Sequence, residues 1–206
     1  MSDTGSPRTE VNTSSTGSPR TDVRPAVDHN VLAFWFFLGS EVILFGALIL
    51  AMVVIRVSHA DQYADFRSHL SIPLIGVNTL VLIVSSYFVV RSVNAAKHGR
   101  SNALLLNLLV VFLLGAVFIA GQAYEWSTLF GMGIKLDSTF GSPFYIVTGI
   151  HGTHVLVGLA WASVVLLSAM GSAYDSRHYR GVEIFGLYWH FVDIVWIVLF
   201  SLIYLV

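Results

Sequence analysis

Residues 184–206 read IFGLYWHFVDIVWIVLFSLIYLV. The run reaches the ~20 residues with which an α-helix crosses ~30 Å of hydrocarbon. Its apolar side chains do not alternate with polar ones, which argues against a strand of a membrane barrel. Two side chains able to carry charge near neutral pH interrupt it, His190 and Asp193, three positions apart and therefore on one helical face. Ionisable groups are costly within a bilayer, so that face is expected to turn toward other helices and away from lipid.

Four more runs of this kind precede it, at approximately 31–55, 72–91, 103–125 and 140–169, separated by short hydrophilic breaks. The composition agrees with five spans: 55% of residues are hydrophobic, 11% are charged and the mean hydropathy is +0.74. An average soluble domain carries about 25% charged residues, and roughly half of a soluble surface of this size must face water. The expected fold class is an all-α integral membrane protein with five transmembrane helices. A net charge of −1 supplies no field that would draw nucleic acid, and the absence of cysteine removes disulfides, thiolate metal sites and Fe–S clusters.

Residues 1–30 form a separate polar segment with no apolar core of a cleavable leader. Thr4-Gly5-Ser6-Pro7-Arg8-Thr9-Glu10-Val11 recurs as Thr16-Gly17-Ser18-Pro19-Arg20-Thr21-Asp22-Val23. Such a segment has too little apolar area to offset its ordering entropy, so a disordered tail is expected over 1–30, followed by a membrane domain over 31–206. With five spans the termini lie on opposite sides. Arg8, Arg20, Arg24, Arg91, Lys97, Arg100, Arg177 and Arg180 fall on the side of the N-terminus, against Arg56, Arg67 and Lys135 on the other. Eight against three predicts a cytoplasmic N-terminus and an outer C-terminus.

Several further groups are polar within the spans. Glu41 lies ten residues into the first, ~15 Å deep. His151 and His154 share one face of the fourth, and Gln122 and Glu125 close the third near the outer interface. The antiparallel order puts Glu41, His154 and Asp193 at comparable depth, which predicts a contact from Glu41 to a histidine and a His190–Asp193 pair. Heme ligation, a metal site from His151, His154 and Glu41, proton conduction, and hydrogen bonds that fix helix packing are the competing uses of these histidines. A two-heme cytochrome needs histidine pairs matched in depth on two helices, whereas the fifth span offers His190 alone.

Three stretches carry a resemblance. Gly39-Ser40-Glu41-Val42-Ile43-Leu44-Phe45-Gly46, the long run Phe140–Gly158 containing Thr148-Gly149-Ile150-His151-Gly152-Thr153-His154, and Tyr188-Trp189-His190-Phe191-Val192-Asp193 through Phe200 are similar to the motifs of subunit III of the heme–copper respiratory oxidases; Gln122 to Trp126, with Tyr124-Glu125, resembles the family's end of a helix. The likeness covers roughly 31–206 and looks like the shorter, five-helix bacterial form of cytochrome c and quinol oxidases.

That resemblance implies two bundles, the first two helices on one side and the last three on the other, around a V-shaped cleft holding phospholipid. It implies an accessory chain without redox cofactor of its own, in a proton-pumping complex that reduces O2 to water in aerobic respiration. The hemes and copper would lie in partner subunit I, with subunit II and a subunit IV further candidate partners beside membrane lipids. The chain would sit in a bacterial cytoplasmic membrane and support proton uptake and turnover stability of subunit I. Glu41 matches the family's buried glutamate, and His151, His154, His190 and Asp193 match its intramembrane polar set. Arg177 and Arg180 correspond by position alone to a basic loop that could meet lipid phosphate. A subunit-III-like protein of a nitric oxide reductase remains the alternative within the family, and an independent b-type cytochrome or transporter the alternative outside it.

Overall fold

The computed structural model describes residues 29–171 and 179–205; the tail with its repeat, Arg177 and the terminal Val206 lie outside the described residues. The described chain is helical, with no strand: α1 His29–Ser58, α2 Ala60–Ser68, α3 Ile72–Lys97, α4 Ser101–Gly131, α5 Gly141–Met170 and α6 Arg180–Phe200, which runs on into a π-helical turn, Ser201–Leu205. Five helices are long and apolar enough to span a bilayer: Val31–Ser58, Ile72–Lys97, Ser101–Gly131, Gly141–Met170 and Arg180–Leu205. Four of them extend a few residues past the apolar run read from the sequence, because interfacial polar residues continue the helices beyond the hydrocarbon, and Gly141–Met170 matches its run to within one residue.

The helix ends follow local chemistry. Pro73 sits in the first turn of α3, where its missing N–H costs nothing. Gly99, at φ +64°, stops α3, and the next amide, Arg100, donates back to the Ala95 carbonyl at 2.9 Å. Gly133, at φ +85°, does the same for α4, with Ile134 N–H donating to Leu129 O at 3.1 Å. Both are left-handed terminators that a β-carbon would strain. The first leaves so short a turn that α4 must fold back along α3.

α3, α4, α5 and α6 form a closed ring in which each helix packs on the next and α6 returns to α3; α1 leans from outside on α5 and α6. This differs from the arrangement of two helices against three implied by the resemblance. The reason lies in where the polar groups of α3 find partners. Trp189 Nε1–H on α6 donates to Ser85 Oγ at 2.9 Å, Trp196 Nε1–H to Thr79 Oγ1 at 3.0 Å, and Asn78 Nδ2–H on α3 to the Phe118 carbonyl of α4 at 2.9 Å. Lipid offers no alternative partner, so these bonds commit α3 to α4 and α6.

The ring interior is stacked in layers around two indoles. Trp189 fills the space between Gly115 of α4 and Gly158 of α5. Trp196 lies one layer further along, with Phe118 edge-on at 4.9 Å between centroids. Exposed faces are apolar, as on α1, where Phe36 is 72% and Ile43 75% exposed. A chain so built is dry and packed inside and oily outside, which is a membrane protein's distribution.

Candidate functional site

Glu41 enters from α1 and meets His154 of α5, Oε2 to Nε2 3.0 Å, the two side chains 15% and 17% exposed. His154 Nδ1 lies 2.8 Å from the Ile150 carbonyl, which can only accept, so Nδ1 bears a proton. A hydrogen bond between His154 Nε2 and Glu41 Oε2 forms either from imidazolium to carboxylate or from carboxylic acid to imidazole, two arrangements with the same net charge. Phe45, one turn beyond Glu41, lies edge-on to His154 at 5.1 Å and shields the contact.

His151 is 1% exposed, yet neither ring nitrogen has a hydrogen-bond partner among the described residues. Its ring stacks on Trp196 at 4.8 Å, with Phe118 edge-on at 5.9 Å and Phe45 at 6.4 Å. The expectation of interhelical hydrogen bonds therefore holds for His154 and not for His151, which is packed as an aromatic plate. One residue of the pair is turned to Glu41 and the other into the ring, so the two do not converge on a common ligand. Among the described residues no three His, Asp or Glu side chains come together as a metal site.

His190 and Asp193 share a face of α6, but the group that His190 reaches is Ser86 of α3, Nδ1 to Oγ 2.5 Å. The Asp193 carboxyl is 4% exposed and faces the same hydroxyl, without a hydrogen bond of good geometry on either oxygen. His190 thus hydrogen-bonds to Ser86 of α3, and no hydrogen bond joins it to Asp193 among the described residues.

Gln122 and Glu125 of α4 are 5% and 0% exposed. The Ser71 amide at the start of α3 donates to Glu125 Oε1 at 2.9 Å, and the Tyr204 hydroxyl faces both Gln122 and Glu125. Glu125 therefore caps the α3 N-terminus from a neighbouring helix, where the helix dipole favours negative charge. At the opposite end of the bundle, Arg180 lies with Trp35 in a recess of about 390 Å³ between α1 and α6.

A second constellation went unread in the sequence. α2, together with Arg56 at the end of α1, lies beside the end of α6 and ties down its last carbonyls. Tyr63 Oη–H donates to Ile203 O at 2.7 Å, Arg56 Nη1–H to Leu202 O at 3.0 Å, Arg67 Nε–H to Tyr204 O at 3.2 Å and Arg67 Nη2–H to Leu205 O at 2.9 Å. The Arg56 guanidinium lies over the Tyr63 ring at 4.4 Å. Burial raises the Tyr63 phenol above its ordinary value, against the lowering pull of Arg56 and Arg67. The available signal was the spacing of Tyr63 and Phe66, both buried, among Asp61, Gln62, Asp65 and Arg67.

A sequence profile described as "Cytochrome c oxidase subunit III" matches residues 16–206. The "Cytochrome c oxidase subunit 3" of Thermostichus vulcanus is 35% identical over 179 residues, 86% of this chain and 88% of its own length. The "Probable quinol oxidase subunit 3" of Staphylococcus saprophyticus is 30% identical over 180 residues, 86% of this chain and 89% of its own. These relatives are named for different electron donors, so what they have in common is the third subunit's place.

Proposed function

The chain belongs to the Cytochrome c oxidase subunit III family and is an accessory subunit of a heme–copper terminal oxidase, and on that footing we propose that it supports proton uptake by the catalytic subunit and protects it from inactivation during turnover. The observation that carries the reading is the Glu41–His154 contact, a hydrogen bond between two ionisable groups within the membrane. Such a contact holds a proton between a carboxyl and an imidazole, and it occupies both nitrogens of the histidine that heme or copper would need. In this reading the hemes and copper reside in subunit I, subunit II and a subunit IV are further partners, and Glu41, Gln122, Glu125, His151, His154, His190 and Asp193 serve packing or proton holding.

The surrounding membrane completes the proposal. The recess between α1 and α6 joins the Trp35 indole to the Arg180 guanidinium, a combination suited to the glycerol and phosphate levels of a phospholipid. We place the chain in a bacterial cytoplasmic membrane, where the distribution of Lys and Arg favours the N-terminus and the polar segment 1–30 inside and the C-terminus outside.

Deleting the chain tests the function. The remaining oxidase should purify with its heme spectrum intact, begin turnover at a normal rate and lose activity sooner than the complete enzyme. Loss of heme on deletion, or an unchanged lifetime during turnover, overturns the reading.

A further inference from the structure

Between α3 and α6 runs a crevice of about 300 Å³ whose lining includes Asn94 and Lys97 of α3 and Glu183, Gly186 and His190 of α6. Lys97 Nζ and Glu183 Oε1, 2.9 Å apart and 42% and 41% exposed, stand at its mouth. Gly186 brings the two helices close: a β-carbon there would stand 3.3 Å from side-chain carbons of both Val89 and Val93. From Glu183 the crevice follows one face of α6 to His190, seven residues or ~10 Å inward, and Asp193 lies ~5 Å deeper. At its inner end His190 Nδ1 is 2.5 Å from Ser86 Oγ, and the Asp193 carboxyl, one helical turn beyond His190, lies near that hydroxyl.

These positions form a series: an ion pair at the membrane face, a half-buried imidazole, a hydroxyl, then a carboxyl sealed at 4% exposure with no hydrogen-bond partner of good geometry among the described residues. An ionised carboxylate so placed, without a cation beside it, would carry a large desolvation cost, whereas a carboxylic acid is tolerated. Of the other ionisable groups packed against α6, His151 and His154 of α5 and Glu41 of α1 belong to the separate set around Phe45, and Arg56, Tyr63, Arg67 and Glu125 lie at the far end of that helix. Packing alone requires neither an open crevice at His190 nor a hydroxyl near both His190 and Asp193.

We propose that the α3–α6 crevice is a proton inlet that lets water reach His190, and that His190 and Ser86 carry protons to and from Asp193, which stores one as a neutral carboxylic acid. A proton from crevice water adds to the imidazole. The Nδ1 proton passes to Ser86 Oγ as the hydroxyl proton passes to the carboxylate, and the reverse sequence returns it. Only N–H and O–H bonds exchange, and charge is conserved. The inlet deepens the proton-supporting role proposed above and rests on it for its biological use.

Infrared spectroscopy of the oxidase complex containing this chain, reconstituted in lipid nanodiscs, tests the site. The expected result is a carboxylic-acid C=O band that is lost in Asp193→Asn and shifts promptly on transfer to D2O. In Ser86→Ala and His190→Gln the band persists and its shift slows by at least about tenfold. Heme content and co-purification of the subunits show that each variant is assembled. Absence of an Asp193 band in the assembled wild type, or an equally prompt shift in both relay variants, overturns the inlet. If the exchange behaves as expected while Asp193→Asn keeps a normal turnover lifetime, the inlet stands and the broader proton-supporting reading falls.

Discussion

The indole of Trp189 occupies the space that a β-carbon on Gly158 would need, with its Cζ3 2.8 Å from that position. The adjoining Cη2 lies equally close to the missing β-carbon of Gly115, and the indole N–H donates to Ser85. One side chain on α6 thereby sets the spacing of α3, α4 and α5. A buried indole cannot retreat as the end of a flexible chain can. Gly158→Ala is therefore expected to destabilise the folded subunit by about 1–3 kcal/mol through overpacking. Gly152→Ala, six residues earlier on the same helix with nothing within 4 Å of its added carbon, is the control and should be neutral or slightly stabilising. Thermal unfolding in one detergent compares them, and equal effects would show that Trp189 does not set the spacing.

Within the membrane Glu41 is a polar anchor of α1, a helix outside the four-helix ring, as Arg56 is at its end. Removing His154 leaves its carboxyl without the partner 3.0 Å away, while removing Glu41 leaves the imidazole bound to Ile150 alone. Glu41→Ala and His154→Ala should each loosen α1, and the double variant should cost less than the sum of the two. A coupling of about 1 kcal/mol is expected for a partly exposed interhelical hydrogen bond. Strict additivity in unfolding measurements would mean the contact contributes nothing.

The α2 latch has a pH signature. Its phenol is raised by burial, so folding favours the neutral, protonated Tyr63. The stabilisation is full below the ordinary phenol value of about 10 and is lost as pH rises through the raised folded-state value. Hydrogen exchange at the 202–205 amides should accelerate in that alkaline range, and Tyr63→Phe should show faster exchange already at neutral pH with no alkaline step. Arg67→Ala, which removes the bonds to Tyr204 and Leu205, should free the last turn at every pH. Unaltered exchange in both variants would contradict a latch.

The spans and their antiparallel order were legible because a membrane helix writes its length directly into hydropathy. Glu41 and His154 were legible for the same reason, since a carboxyl and an imidazole within such runs need partners. The order of packing was not. Asn78, Thr79, Ser85 and Ser86 blend into an apolar run, and what gives them direction is the two indoles and the imidazole on α6. Equal spacing also failed to separate roles: His151 and His154 share a stripe, yet α1 reaches one and the aromatic ring interior encloses the other. α2 escaped because Asp61, Gln62, Asp65 and Arg67 lower its hydropathy while Tyr63 and Phe66 carry its packing.

Thr79 separates polar satisfaction from packing in the ring. Its hydroxyl donates to Ile75 O at 2.7 Å and accepts from the Trp196 indole at 3.0 Å. Thr79→Val keeps the shape and orphans a fully buried indole N–H, at an expected cost of about 1–3 kcal/mol. Thr79→Ser keeps the hydroxyl and removes one methyl, an expected cost of about 0.5–1.5 kcal/mol from lost packing. If the indole bond governs the site, Val is the worse replacement although it fills the space better, and Trp196 fluorescence should shift in Val alone. If packing governs it, the order reverses. The sign of that difference, measured by unfolding of the two variants side by side, decides whether α3 is held to α6 by its hydroxyls or merely by its fit.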